Sequence, residues 1–310
     1  MAWGRIQGEV RPLSCEDLDT AALPAWGGDR VVLAREDQQF SGSFRARGAM
    51  SWLQVARTEG ELTEAGIAVA AQTQASAAAW AWAATTENVP ATLFVAPTLS
   101  TTLRALGARV TVVADDAPVE RRDAHGAATG AMCPDPHDQL LAAAAGTWVL
   151  ELNACVDVAT VLIPVWPSDD GGLLAGTIAA AVAVGVKVVL VALPDAPIPN
   201  VVRNVLSGRS RFPGTPEGGP GVRLELVRVT AADVSAAATT LARRGRVVTE
   251  EGALPLAALT TVAREPRRCY APGRGEPVAV LLAGPPSGTD QQDRSTPCGL
   301  RPYSLVGTDA

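Results

Sequence analysis

The feature that most constrains this chain is an alternation of short apolar runs with alanine-rich stretches of helical length. Runs such as TVLIPV at 160–165 and VKVVLVAL at 186–193 are apolar almost throughout, as expected for parallel strands that are covered on both faces. Thr230, which precedes an alanine-rich stretch with an acidic first turn, is a typical helix N-cap. The alternation predicts an α/β fold with helices on both faces of a parallel sheet.

The order of the elements follows from the same pattern. Strands are predicted at 30–33, 67–71, 91–95, 109–113, 160–165, 186–193, 223–229 and 278–282. Helices are predicted at 47–58, 74–86, 101–106, 138–152, 173–184, 198–206, 231–243 and 254–264. The Gly/Pro-rich stretch 209–221 is a predicted loop, and the tail from Pro285 onward is predicted to be extended or disordered.

Charge and composition exclude several classes of protein. The net charge of −6 disfavours binding to nucleic acid or to an anionic membrane surface. Arg5, Glu9 and Arg11 interrupt the N-terminus before a signal-peptide core could form. Five cysteines without a C-x-x-C pair favour reduced thiols. We therefore expect a cytoplasmic protein with no nucleic-acid partner, no membrane association and no metal.

Several segments, in this order, resemble the fold-type II pyridoxal-phosphate enzymes, and the serine/threonine dehydratases in particular. VVLAREDQQFSGSFRARGAM at 31–50 has the family's strand, acidic stretch and S-G-S-F turn that opens a helix. Further similar segments are VPATLFVAP at 89–97, LRALGARVTVV at 103–113, PHDQLLAAAAGTWVLEL at 136–152, DDGGLLAG at 169–176 and VTAADVSAAATTLARRGRVVTEEGALPLAAL at 229–259. The colinear set spans residues 23 to 284.

The resemblance implies a two-lobed, parallel-sheet α/β fold of the tryptophan-synthase-β type that is usually dimeric. Residues 1–30 would join the large lobe, and a smaller lobe, at about 45–135, would be inserted within 31–165. Residues 166–284 would complete the large lobe, and 285–310 would form the tail. In this family a lysine forms an imine with the cofactor, and a glycine-rich loop at a helix N-terminus binds the cofactor phosphate.

Arg45 stands where the resemblance places the imine-forming lysine. A guanidinium stays protonated at ordinary pH, so it offers no lone pair to an aldehyde. The chain contains a single lysine, Lys187, which lies at the start of a predicted strand and far from the S-G-S-F turn in sequence. The sequence therefore predicts that no imine forms in the family's way.

Three other cofactor contacts also depart from the family pattern. Two aspartates precede the surviving glycines at 171–172, where a phosphate would lie and would be repelled. The segment AAQTQASAAAW at 70–80 replaces the family's S-x-G-N-H turn, and LLAGPP at 281–286 replaces its S-G-G-N. From these changes we expect that pyridoxal phosphate is lost. The candidate residues of this former cofactor pocket are Ser41, Gly42, Ser43, Arg45, Gln74, Ser76, Asp169, Asp170, Gly171, Gly172 and Ala283.

Two roles for Arg45 remain open from the sequence. It can pair internally with Asp169 or Asp170 and close the cavity, which we slightly favour because a buried arginine needs a counter-charge. It can also donate to an anionic small molecule at the helix N-terminus. A buried, paired Arg45 would indicate a pseudoenzyme, and an open Arg45 a reused site.

The functional expectation is a degenerate dehydratase homologue that serves as a noncatalytic partner or scaffold in a biosynthetic pathway. It would form a homodimer, or a heterodimer with an active paralogue. One alternative is a cofactor-independent lyase, cyclase or condensing enzyme that acts on an anionic substrate. Another is a pyridoxal-phosphate-dependent ammonia-lyase with a relocated lysine. The sequence assigns no catalytic residue.

Overall fold

The fold is described from a computed structural model of the chain. It describes residues 2–23, 30–100, 109–165, 172–200, 202–203, 223–260 and 270–285. The predicted loop at 209–221, the predicted helix at 101–106 and the tail beyond residue 285 lie outside these residues. No helix within the described ranges is both long enough and apolar enough to cross a membrane.

The larger sheet contains six strands in the order β1-β2-β9-β6-β7-β8. Their bounds are β1 Cys15–Leu18, β2 Val31–Arg35, β6 Thr160–Val165, β7 Lys187–Ala192, β8 Leu224–Arg228 and β9 Val278–Leu282. All neighbours are parallel except β1, which pairs antiparallel with β2. The register aligns the first residues of four strands, because Val278 lies opposite both Val31 and Thr160, and Thr160 lies opposite Lys187.

Both faces of this sheet are buried, which explains its continuous apolar strands. In β6, Val161 and Ile163 belong to one core cluster, while Leu162 belongs to another on the opposite face. Alternate residues of a strand point to opposite faces, so each run must be apolar throughout when both faces are covered. The predicted parallel-sheet core is confirmed.

A separate parallel sheet has the order β3-β4-β5. Its strands are β3 Ile67–Ala71, β4 Ala91–Val95 and β5 Val110–Ala114. A third core cluster joins this sheet to two helices, since it contains Val69 and Leu93 together with Leu53 and Trp80. The domain boundaries given above remain a prediction, although the two sheets fall into the two regions that it names.

The helices pack on these sheets in chain order. They are α1 Ala2–Ile6, α2 Arg45–Thr58, α3 Gln74–Thr86, α4 Pro97–Ser100, α5 Pro118–Thr129, α6 Gln139–Ala145, α7 Thr147–Cys155, α8 Gly172–Ala183, α9 Ala231–Ala242 and α10 Glu250–Thr260. The expected cap at the start of α9 is present as a full capping box between Thr230 and Asp233.

The sequence pattern misses or misplaces some elements for identifiable reasons. The pattern predicts one helix over 138–152, but two helices meet there at Gly146. An added Cβ at Gly146 would lie 2.4 Å from the carbonyl oxygen of Gly176 in α8, so glycine is needed where the backbones cross. Helix α5 has no buried residue and therefore carries no apolar periodicity. Strand β1, CEDL, is a mostly polar edge strand.

The crossing of α6 and α8 gives a direct test of this packing. An alanine Cβ at position 176 would lie 1.7 Å from the carbonyl oxygen of Ala142. We predict that Gly176→Ala lowers the free energy of unfolding by roughly 1–3 kcal/mol or more, because the helices must separate. Urea denaturation would measure this. Gly4→Ala is the control, since nothing lies within 4 Å of its added Cβ; equal effects of the two changes would contradict the packing.

Candidate functional site

A tight, buried turn links the end of β2 to the start of α2. Gly42 has a φ of 72°, and a Cβ there would lie 2.4 Å from the carbonyl oxygen of Pro285, so only glycine fits. Gly284 N donates to the Gly42 carbonyl oxygen at 2.8 Å. Ser41 and Ser43 are fully buried, and the Ser41 hydroxyl donates to the Ser43 carbonyl oxygen at 3.0 Å. The S-G-S sequence therefore makes a fixed turn beside the end of β9.

Arg45 follows this turn and is the first residue of α2. Its side chain is 6% exposed, and its Nη2 donates to Glu251 Oε1 at 2.7 Å. Glu251 lies in the first turn of α10 and is also buried. The neighbouring Gly252 packs against Ala283, the residue after β9. The structure thus provides Arg45 with a counter-charge that the sequence pattern does not reveal.

The predicted pocket residues are brought together only in part. Ser41, Gly42, Ser43, Arg45 and Ala283 gather at the carboxyl edge of the larger sheet. Gly172 is the first residue of α8 and is buried. Asp169, Asp170 and Gly171 lie outside the described residues, so their predicted pairing with Arg45 stays a prediction.

A cavity of about 310 Å³ lies beside Arg45 at the end of β3. Ser76 lines it, as expected, but Gln74 is not among its lining residues, and Gln72 and Thr73 are. Thr73 caps α3 by accepting a hydrogen bond from Ser76 N at 3.1 Å. Its other functional side chains include Trp80, Arg122 and Asp135.

Sequence reasoning misses these three lining residues. It interprets Trp80 as core or interface packing and Arg122 as a solvated surface group. Arg122 lies on α5, whose lack of apolar periodicity hides the helix and therefore hides the side of the sheet to which it is attached.

A fully buried ion cluster supports the start of α2 one residue beyond the cavity. Arg47 is 0% exposed and donates from Nη2 to Glu36 at 2.6 Å, from Nη1 to Glu151, and from Nη1 to Thr147 Oγ1 at 3.2 Å. Burial raises the pKa of Glu151, against the attraction of Arg47, which lowers it. Glu151 also accepts Leu13 N at 2.8 Å, so the cluster ties α2, α7 and the N-terminal segment together.

Removal of the cation from this cluster should be costly. We predict that Arg47→Met lowers the free energy of unfolding by roughly 3–5 kcal/mol, because two buried carboxylates lose their counter-charge. The comparison is Arg30→Met, whose partner Asp17 is 62% exposed and whose loss should cost less than about 1 kcal/mol. Chemical denaturation of both variants measures the difference, and similar costs would contradict a buried cluster.

Lys187, the single lysine, lies at the opposite edge of the larger sheet from Arg45. It is the first residue of β7 and is in register with the first residues of β6 and β9. Arg45 follows the last residue of β2, beyond strands that are five to six residues long, which is roughly 16–20 Å. Burial lowers the pKa of Lys187, but its hydrogen bond to Glu225 outweighs this and raises the pKa overall. It is therefore a protonated amine remote from the cavity.

Comparison with known proteins places this arrangement. The sequence matches the family described as pyridoxal-phosphate dependent enzyme over residues 7–284. The chain belongs to that family. A search of curated protein sequences finds no significant match.

Several solved structures share the fold. Threonine deaminase from the organism abbreviated T.th. is 28% identical, with a TM-score of 0.68, over 93% of this chain and 96% of that one. Serine racemase from Dictyostelium discoideum is 19% identical, with a TM-score of 0.70, over 93% and 96%. Maize serine racemase is 18% identical, with a TM-score of 0.71, over 93% and 94%. The fold-type II prediction is confirmed.

Membership of the family overturns the expectation that the chain uses no cofactor. The match spans 7–284 and belongs to a family defined by pyridoxal phosphate, so the prediction that the cofactor is lost is wrong. It fails because unfavourable changes at separate contacts do not add up to an absence of binding. The fit in the described residues is limited, since the turn at 41–45 presents a guanidinium paired with Glu251 and not an amine. The phosphate-binding glycine segment lies mostly outside them.

Proposed function

We propose that this chain is a member of the pyridoxal-phosphate-dependent enzyme family that forms no imine between cofactor and protein. Its cleft would bind ligands noncovalently, and the chain would serve as a noncatalytic partner. Homology to enzymes that process serine and threonine supports the choice of family. The partner, the pathway and the dimeric state remain predictions from the sequence.

The ion pair between Arg45 and Glu251 is the observation that supports this proposal. The guanidinium is buried and lies 2.7 Å from the carboxylate, and a guanidinium has no free lone pair for attack on an aldehyde. The residues of the chain therefore hold this position by charge pairing: Glu251 neutralises Arg45, and the Ser41–Ser43 turn fixes the start of α2. No proton transfer is assigned to either residue.

The position of Lys187 argues against the alternative of a relocated lysine. Its ammonium donates to Glu225 at 2.8 Å and lies 4.7 Å from the ring centroid of Tyr270, at the amino ends of the strands. An imine there would form on the far side of the sheet from the cavity. Lys187 therefore does not replace the family's lysine within this cleft.

Borohydride reduction in the presence of pyridoxal phosphate tests the proposal. We predict no mass increase for the intact wild-type protein, because the cleft offers no amine. The double variant Arg45→Lys, Glu251→Gln should gain one reducible adduct, since it restores an amine and removes the carboxylate that would keep it charged. Intact mass measures both, and the absorbance of cofactor released on denaturation reports noncovalent binding separately.

A matched variant excludes labelling elsewhere. Lys187→Arg removes the single side-chain amine, so any adduct that remains on it is at the N-terminus. A stoichiometric wild-type adduct that this variant abolishes would contradict the proposal and restore a lyase with a displaced lysine.

A further inference from the structure

The cavity beside Arg45 has walls of two kinds. Much of its lining is apolar and includes Val69, Ala79, Leu141 and Leu173. Its volume of about 310 Å³ is at the lower end of the range of about 300–1,000 Å³ that is usual for small-molecule sites. An apolar wall with few charged groups selects a ligand with an apolar body and a polar end.

Trp80 provides a fixed aromatic surface in this wall. It is 7% exposed and packs edge-on against Trp52, with ring centroids 5.7 Å apart. Trp52 is itself held, because its Nε1 donates to Asp138 Oδ2 at 2.9 Å. An indole that is held in place loses little conformational entropy when a ligand ring stacks on it.

Two guanidinium groups line the cavity, and they differ in their counter-charges. Arg45 is paired with the buried Glu251. Arg122 is 15% exposed, and its partner Asp123, the next residue in the chain, is 58% exposed at 2.6 Å. Because an exposed carboxylate is well solvated and binds weakly, Arg122 can exchange it for the carboxylate of a ligand at lower cost.

The charge of the cavity limits the ligand to a single negative group. Asp135 also lines the cavity, and its Oδ1 accepts His137 N at 2.8 Å. A second anionic group in the ligand would be repelled by this carboxylate and by Glu251 behind Arg45.

We propose that the cavity binds aromatic monocarboxylates, with the ring on Trp80 and the carboxylate on Arg122. This inference rests on the proposed function in one respect, namely that Arg45 is occupied by Glu251 and leaves the ligand to Arg122. The ligand class itself follows from Trp80, Arg122 and Asp135.

Isothermal titration calorimetry with cinnamate as the probe tests the ligand class. Cinnamate should bind the protein as isolated, and hexanoate and serine should each bind at least about tenfold more weakly because they cannot stack. Trp80→Leu should weaken cinnamate binding by about tenfold, whereas Trp80→Phe should keep it within about threefold. Arg122→Gln should weaken it by about tenfold or more.

Matched variants on the same helices serve as controls. Trp82→Leu changes a tryptophan of α3 that stacks on Phe40 at 4.8 Å and is not a lining residue. Arg121→Gln changes the neighbouring arginine, which is 64% exposed. Both should leave cinnamate affinity unchanged, and thermal melts of every variant verify folding.

Several outcomes would overturn the inference. They are no binding of cinnamate, equal binding of serine, or equal affinities in wild type, folded Trp80→Leu and folded Arg122→Gln. None of them affects the borohydride result, which depends on an amine. A failure of this inference is therefore distinguishable from a failure of the proposed function.

Discussion

A buried guanidinium requires a counter-charge, and in this protein Glu251 supplies one to Arg45 across the junction of α2 and α10. The rest of the site depends on that pair. The Gly42 turn, which contacts Gly284 beyond β9, sets where α2 begins. Arg47, two residues further along the same helix, is held by Glu36 and by Glu151. The wall of the cavity is therefore positioned by charge pairs at its base.

The fold and the chemistry of this chain separate at a single position. The parallel sheet and its flanking helices belong to the pyridoxal-phosphate-dependent enzyme family. At the turn where the resemblance places an amine, a guanidinium lies in its place, and the single lysine is at the amino ends of the strands. A cleft of this kind can still bind small molecules, because Trp80 and Arg122 line it independently of the turn.

Much of the fold could be predicted because the pattern of apolar residues follows the pattern of burial. Strands β3, β4, β6 and β9 have the predicted bounds, since strands covered on both faces are apolar throughout. The pattern misses elements without that signal, as β1 and α5 show. The turn residues of the site are predicted by the family resemblance, but Glu251 is more than 200 residues from Arg45 in sequence, and no local pattern connects the two.

The most direct test of the pairing between Arg45 and Glu251 is a double-mutant cycle on these two residues. Urea unfolding would be measured for Arg45→Met, Glu251→Leu, the double variant and the wild type. We predict that each single change is destabilising and that the double variant recovers stability, with a coupling energy of about 1–3 kcal/mol. Additivity within about 0.5 kcal/mol would show that the two residues are not coupled and would contradict the central role of this pair.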